Sequence, residues 1–317
     1  MEARRDDVQR LERLARLGGF LFVVGVAFGL VGYGVFMGGS FERPTARVIG
    51  RVLSAPTGLP GAAIFVVGAL ATIAGLALYV FVPGLNARLA RQSFDRPRVI
   101  LACLAAVFVL GNVLTIPVVM SQPRPGQLTA SGLVLAMLGT QLALMAVLVW
   151  RVVRPGALTW EEMGLTAAHL DRRLAQGAAG GLIIFVLAGV VGFLLRQLGV
   201  EQTQAELFGG VRNGGPAQFM AVWLAASVSA PICEECFFRG YVFGALRGRY
   251  GRLAAYLGSA LLFGAIHLNL AAIVPIVVMA LGLAFLYDRS GSVVPGIVAH
   301  GFNNAVAITL LYAGVAG

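Results

Sequence analysis

The sequence contains no lysine, and charged residues of every kind make up only 12% of its 317 positions. A soluble domain carries roughly a quarter. So few charges cannot cover the water-facing surface of a chain this size, which excludes an ordinary soluble enzyme and a disordered chain. Cysteine is scarce: Cys103, Cys233 and Cys236 are the three, all in apolar runs, so no disulfide-stapled secreted scaffold is implied. Histidine is equally rare, with three residues. No connection between apolar runs exceeds about 25 residues, which leaves no room for a soluble domain.

What is present is apolar. Hydrophobic residues make up 58%, and mean hydropathy is +0.85. Nine runs are long enough, or nearly so, to cross about 30 Å of hydrocarbon. They cover 18–38, 61–83, 99–121, 129–150, 175–199, 217–245, 253–269, 272–287 and 292–315. The seventh and eighth are short and joined by almost nothing, as in a tilted or re-entrant pair. The expected fold is all-α, a polytopic transmembrane bundle of eight or nine spans. The 42 glycines suit close helix packing in lipid. Gly25/Gly29 and Gly177/Gly181 form GxxxG patterns, read as packing within the bundle rather than dimerisation.

All 24 basic residues are arginine, and the net charge is +10. No basic patch is interleaved with aromatics, so nucleic acid is not an expected partner; the partner is the bilayer. Arginine counts are five in 1–16, four in 84–98, four in 151–174 and three in 246–252. The alternate connections 39–60, 122–128 and 200–216 hold three, one and one. This asymmetry puts the N-terminus in the cytoplasm. The first run is too long for a signal-peptide core and lacks a convincing cleavage site, so it reads as an uncleaved anchor. An all-arginine basic set hints at a GC-rich bacterial genome, hence the bacterial inner membrane. Three regions are expected: a cytoplasmic segment over 1–16, a four-helix region over 17–154, and a core over 155–317. The boundary is the 156–172 connection with Trp160, Glu161, Glu162 and Gly164.

Of 14 acidic residues, twelve fall in termini and connections. Glu234 and Glu235 are the exceptions, adjacent within the sixth run. His267 and His300 lie inside runs seven and nine, whereas His169 lies in a connection. Ionisable residues within the membrane are costly and mark functional sites by default. The bland alternative is an interhelical clamp. Glu235 and Arg239 are four apart and share a helix face. Glu234 is turned about 100° away, so one carboxylate can neutralise Arg239 while the other faces a cavity. Phe263/His267 and His300/Asn304 repeat the i,i+4 spacing, and counting Glu234 and His267 from the arginine-rich turn near 247–252, and His300 from 288–292, brings the three to about one level near the bilayer middle.

A desolvated carboxylate can act as general base. His267 could hold the same water or protonate a leaving amine. His300 and Asn304 could donate to a developing oxyanion. That equipment suits amide hydrolysis by activated water. No G-x-S-x-G elbow is present. Zinc on Glu234, His267 and His300 is the other option, though H-E-x-x-H is absent. Cys233 and Cys236 bracket the glutamates but read as small buried residues rather than a metal half-site.

Glu234-Glu235-Cys236-Phe237-Phe238-Arg239-Gly240 resembles the E-E-x-x-x-R signature of the CAAX-protease and bacteriocin-processing (CPBP) membrane family, which includes type II CAAX prenyl endopeptidases. Phe263 to His267 resembles its F-x-x-x-H motif, and His300 to Asn304 its H-x-x-x-N motif. Trp160–Leu165 resembles the lead-in to its core. The likeness covers about 155–317. It implies an intramembrane endopeptidase with an all-helical core. In it, Glu234 and His267 would activate water, and His300 with Asn304 would stabilise the oxyanion. Glu235, Arg239 and Phe263 would support them from behind. Asn303 lies near the same face, and the choice of Asn304 rests on the family pattern. The family has been described as metal-dependent and as glutamate-dependent without metal. The second is favoured here, so no cofactor is expected, with zinc the alternative. The implied substrate is a membrane-associated peptide or protein C-terminus, with or without a lipid. Competing readings are a non-catalytic scaffold or immunity factor on the same fold, and a proton-coupled transporter.

The arginine asymmetry makes a direct prediction. Alkaline phosphatase fused after residue 90 stays inactive, and a fluorescent protein fused there lights up. An active phosphatase at that position would reverse the orientation.

Overall fold

The computed structural model describes residues 2–36, 58–122, 128–200, 215–267 and 272–314. Among them none lies in a strand. In a bilayer only intrasegment hydrogen bonding can satisfy a single span's backbone, so apolar runs of this length become helices. Among the described residues eight helices are long and apolar enough to cross a membrane, and the chain is a multi-pass membrane protein.

The chain forms two compact units, Met1–Gln92 and Ser93–Gly317. In the first, α1 (Glu2–Phe36) packs on α2 (Gly58–Leu76), which continues as a π-helical turn, Ala77–Phe81. A side chain at Gly18, Gly25 or Gly68 would strike backbone of the facing helix, so the pair is antiparallel and glycine-lined. A short α3 (Ala87–Arg91) follows, capped by the Asn86 side chain.

The second unit holds α4 (Pro97–Met120), α5 (Ala130–Leu148) and α6 (Leu170–Gln197). Next come α7 (Pro216–Leu224), α8 (Ala230–Glu235), α9 (Gly244–Ile266), α10 (Ile273–Ser290) and α11 (Val294–Tyr312). π-helical stretches over Val149–Val153, Ala225–Ser229 and Cys236–Phe243 extend or link these helices. The third and fourth spans thus belong with the later helices: Ala130 packs with Val222, Ala226 and Ile308. The structure divides at 92/93, not at the 154/155 boundary drawn from the long connection. Loop length marks where a chain leaves the membrane, not which helices pack together.

The sixth and seventh apolar runs are two arms of one hairpin. Gly251, at φ 84°, breaks α9 in a conformation that favours glycine. Beyond it the chain reverses. The Phe243 and Tyr256 rings lie 5.4 Å apart, and those of Phe238 and Phe263 5.0 Å apart. A straight helix would hold the second pair about 37 Å apart. The arginine-rich tip is stapled to its neighbours. The fully buried Asp288 carboxylate of α10 takes Arg247 at 2.8 Å, Arg252 at 2.5 Å and the Tyr256 hydroxyl at 3.1 Å. Arg249 pairs with Asp95 at 3.1 Å.

The 159–165 segment docks on this core. Thr159 and Glu162 cap one another, Met163 is buried against Gly240, and the Gly164 carbonyl accepts from the Ser292 hydroxyl and the Val293 N–H. The GxxxG pair of α6 packs within the unit, Gly177 on Val298 and Gly181 on Ala299.

Asp288→Ala should loosen the hairpin tip. Because Arg247 and Arg252 are more than half exposed and can turn to water, the expected loss is about 1–3 kcal/mol. A thermal melt in detergent reads it, and an unchanged midpoint would show that the tip needs no clamp.

Candidate active site

The three motifs meet inside the second unit. Glu234 and Glu235 end α8, between two π-helical stretches. Such stretches rotate the following side chains relative to a regular helix and recur at functional sites. Glu235 and Arg239 are fully buried and form the ion pair expected from their spacing, Oε1 to Nη1 at 2.8 Å. The same Oε1 accepts from His300 Nδ1 at 3.0 Å. Arg239 also donates from Nη2 to the Ala280 carbonyl at 3.1 Å, and its guanidinium lies 4.6 Å above the Phe263 ring. Gly296 lies one helical turn before His300, and a Cβ there would sit 2.7 Å from Glu235 Oε2. The last helix therefore needs its glycine to approach the carboxylate.

Glu234 points elsewhere, as its 100° offset requires. Its side chain is 17% exposed, and Oε2 lies 3.8 Å from His300 Nε2. That oxygen has no hydrogen-bond partner among the described residues. His300 thus stands between two carboxylates, one on each ring nitrogen.

His267 ends the second hairpin arm, and its Nδ1 pairs with the Phe263 carbonyl at 2.8 Å. That bond makes Nδ1 the donor and turns Nε2 into the free acceptor. The ring lies 4.9 Å from Phe263, which also stands 5.8 Å from His300. Phe263 is therefore the floor shared by Arg239, His267 and His300. Glu234 and His267 each lie four residues beyond the edge-to-face Phe238–Phe263 pair, away from the tip. This register sets them at one level, about 24 Å from Gly251. Within 4 Å, however, Glu234 meets His300 rather than His267.

The two asparagines separate cleanly. Buried Asn303 spends both amide hydrogens, on the Gly181 carbonyl at 3.1 Å and the Ala299 carbonyl at 2.8 Å. Half-buried Asn304 spends one, on the Ala226 carbonyl at 2.8 Å. The other has no acceptor among the described residues and can donate. Residue spacing alone left this choice open.

Cys233 and Cys236 are free thiols, the second buried. Among the described residues no three His, Cys, Asp or Glu side chains converge in a way that could hold a metal ion. Glu234, His267 and His300 do not make such a group. Sequence reading missed Gly296, Asp288 and Asp95. It also missed Gln141, a buried amide on the fourth span hydrogen-bonded to the Ala225–Ser229 turn. Gln141 could have been noticed as a polar side chain within an apolar run.

Residues 216–306 match the family described as Type II CAAX prenyl endopeptidase Rce1-like. Over 124 residues the chain is 27% identical to a Bacillus subtilis protein named "Putative membrane peptidase YdiL". That alignment takes in 39% of this chain and 49% of the relative, so the chain spans about half the length of the curated relative it matches. No solved structure matches.

The burial pattern predicts a contrast. Glu235→Gln leaves the Arg239 guanidinium without its counter-charge and should destabilise the protein by about 3–5 kcal/mol. Glu234→Gln should leave the unfolding midpoint within a degree or two, roughly the effect of an isosteric change at a partly exposed site. Equal melting of both variants would contradict the assignment of Glu235 as the buried anchor.

Proposed function

We propose that the chain is an intramembrane endopeptidase that hydrolyses peptide bonds of membrane-associated peptides or protein C-termini with water activated by Glu234. The observation that carries this reading is the line Glu234–His300–Glu235–Arg239, buried except at the partly exposed Glu234. It lies within the stretch that matches the type II CAAX prenyl endopeptidase family.

The pairing sets the chemistry. His300 carries a carboxylate on each ring nitrogen, Glu235 at Nδ1 and Glu234 at Nε2, and Arg239 pairs with Glu235. Glu234 Oε2 and His300 Nε2 are 3.8 Å apart, close enough to exchange one proton. With the proton on His300, Glu234 is a free base and Nε2–H is a donor.

In the proposed reaction Glu234 takes a proton from water as the water oxygen attacks the scissile carbonyl carbon. The carbonyl π pair moves to oxygen, where His300 Nε2–H and the free Asn304 N–H receive it. Collapse of the tetrahedral intermediate breaks the C–N bond, and the proton held by Glu234 goes to the leaving amine. His267, with Nε2 free, orients the water at the level of Glu234. Glu235 fixes the His300 ring and its donor nitrogen, as the carboxylate of a catalytic triad does. Arg239 and Phe263 hold Glu235 and both rings in place. The substrate approaches through the bilayer or from the cytoplasmic face of the cell membrane. A bacterial chain would act on peptides or membrane-protein tails rather than on prenylated CAAX ends.

The test uses protein purified in detergent with quenched fluorescent peptides: a farnesylated CAAX peptide and unmodified membrane-protein C-termini. Glu234→Gln and His267→Ala should each lower kcat by about 10²–10⁴-fold. Cleavage should persist with a zinc chelator. Equal cleavage by wild type and Glu234→Gln would end the protease reading, and chelator loss reversed by Zn²⁺ would replace the metal-free chemistry. A transporter would instead show substrate flux that survives Asn304→Ala better than Glu234→Gln.

A further inference from the structure

The Ala225–Ser229 turn is held from two sides. Asn304 on the last helix donates to the Ala226 carbonyl at 2.8 Å. Beside it, Gly301 comes so close that a Cβ would sit 2.5 Å from the Ser227 carbonyl. From the other side, Gln141 of α5 donates to the Ala225 carbonyl at 3.0 Å and accepts from the Ser229 hydroxyl. Gln141 is 5% exposed.

A π-helical turn needs such hands. Its wider i→i+5 bonds pull carbonyls off the regular ladder, and in a membrane interior no water repairs them. Ala225 O already receives the Ala230 N–H. Gln141 supplies its second donor and pins the far end of the turn at Ser229. The carbonyl that Asn304 reads, at Ala226, lies between those two points. Ser229 is five residues before Glu234, so the same clamp sets the start of the helix that carries the proposed base.

We infer that Gln141 is a positioning residue: from the fourth span, outside the family-matched stretch, it fixes the turn that aims the Asn304 amide at the reacting carbonyl. This rests on the protease reading for its effect on rate, but not for its effect on Asn304. The fourth span thereby takes part in the site, in the same compact unit as the motif helices.

Gln141→Leu removes both contacts and puts a slightly shorter, apolar side chain in their place. Gln141→Glu keeps the acceptor for Ser229 and, as the neutral acid, offers an O–H to Ala225 in place of the amide N–H. Two readouts are taken on the full chain in detergent. In protein labelled with ¹⁵N-asparagine, the Asn304 side-chain amide, identified by its loss in Asn304→Asp, should shift and broaden in Gln141→Leu and shift less in Gln141→Glu. In the peptidase assay kcat should fall roughly 10–100-fold in Gln141→Leu with KM little changed, since misplacing a catalytic donor affects the transition state selectively. An Asn304 resonance unmoved in both variants overturns the inference whether or not any peptide is cleaved. So does an unchanged kcat in an active enzyme. Absence of cleavage by wild type, or equal cleavage by Glu234→Gln, counts against the protease reading alone, and the resonance then decides the role of Gln141.

Discussion

One carboxylate oxygen organises the core. Glu235 Oε1 accepts from Arg239 on its own helix and from His300 on the last one. Arg239 in turn reaches the Ala280 carbonyl of α10 and covers Phe263 on the returning hairpin arm. In water these contacts would be worth little, because solvent competes for every partner. In an apolar interior each group must find its partner within the protein or go without. The pair therefore specifies which helix faces which, and fixes four arms around one point. Gly296 is the steric counterpart: only a residue without a side chain lets the last helix come that close.

The hairpin places the chemistry at a fixed distance from its anchors. Its tip carries three arginines and is tied down by Asp288 and Asp95. Charged groups are affordable there, near water. From that clamped end the two arms run side by side, aromatic ring on aromatic ring, and deliver Glu234 and His267 to the same level. The polar contacts at the tip and the buried line at the site are thus two ends of one device. The first sets the register and the second uses it.

The π-helical stretches on either side of the glutamate pair decide what each carboxylate sees. Adjacent glutamates on a helix always diverge, but the widened turns before and after them set the absolute direction. Glu235 turns into the ion pair, and Glu234 toward His300 Nε2. The Ala225–Ser229 turn also exposes carbonyls that Asn304 and Gln141 occupy. A geometry that looks like a defect in a helix becomes the seat for an amide donor.

Much of this was legible from residue types and spacing. Low charge and long apolar runs required membrane helices. Glu234, Glu235, His267 and His300 stood out because each carries a cost in lipid that packing alone does not repay. The i,i+4 spacing foretold the Glu235–Arg239 pair, since spacing along a helix is a local property. Contacts between helices were not legible. His300, rather than His267, meets Glu234, and Asn303 rather than Asn304 is fully spent on backbone carbonyls. The third and fourth spans pack with the core, and Gln141 grips its critical turn. Each of these depends on how helices far apart in the chain lie against one another, and a one-dimensional pattern carries no term for that. Local sequence determined which groups are costly to bury; only the tertiary structure decided which of them compensate one another.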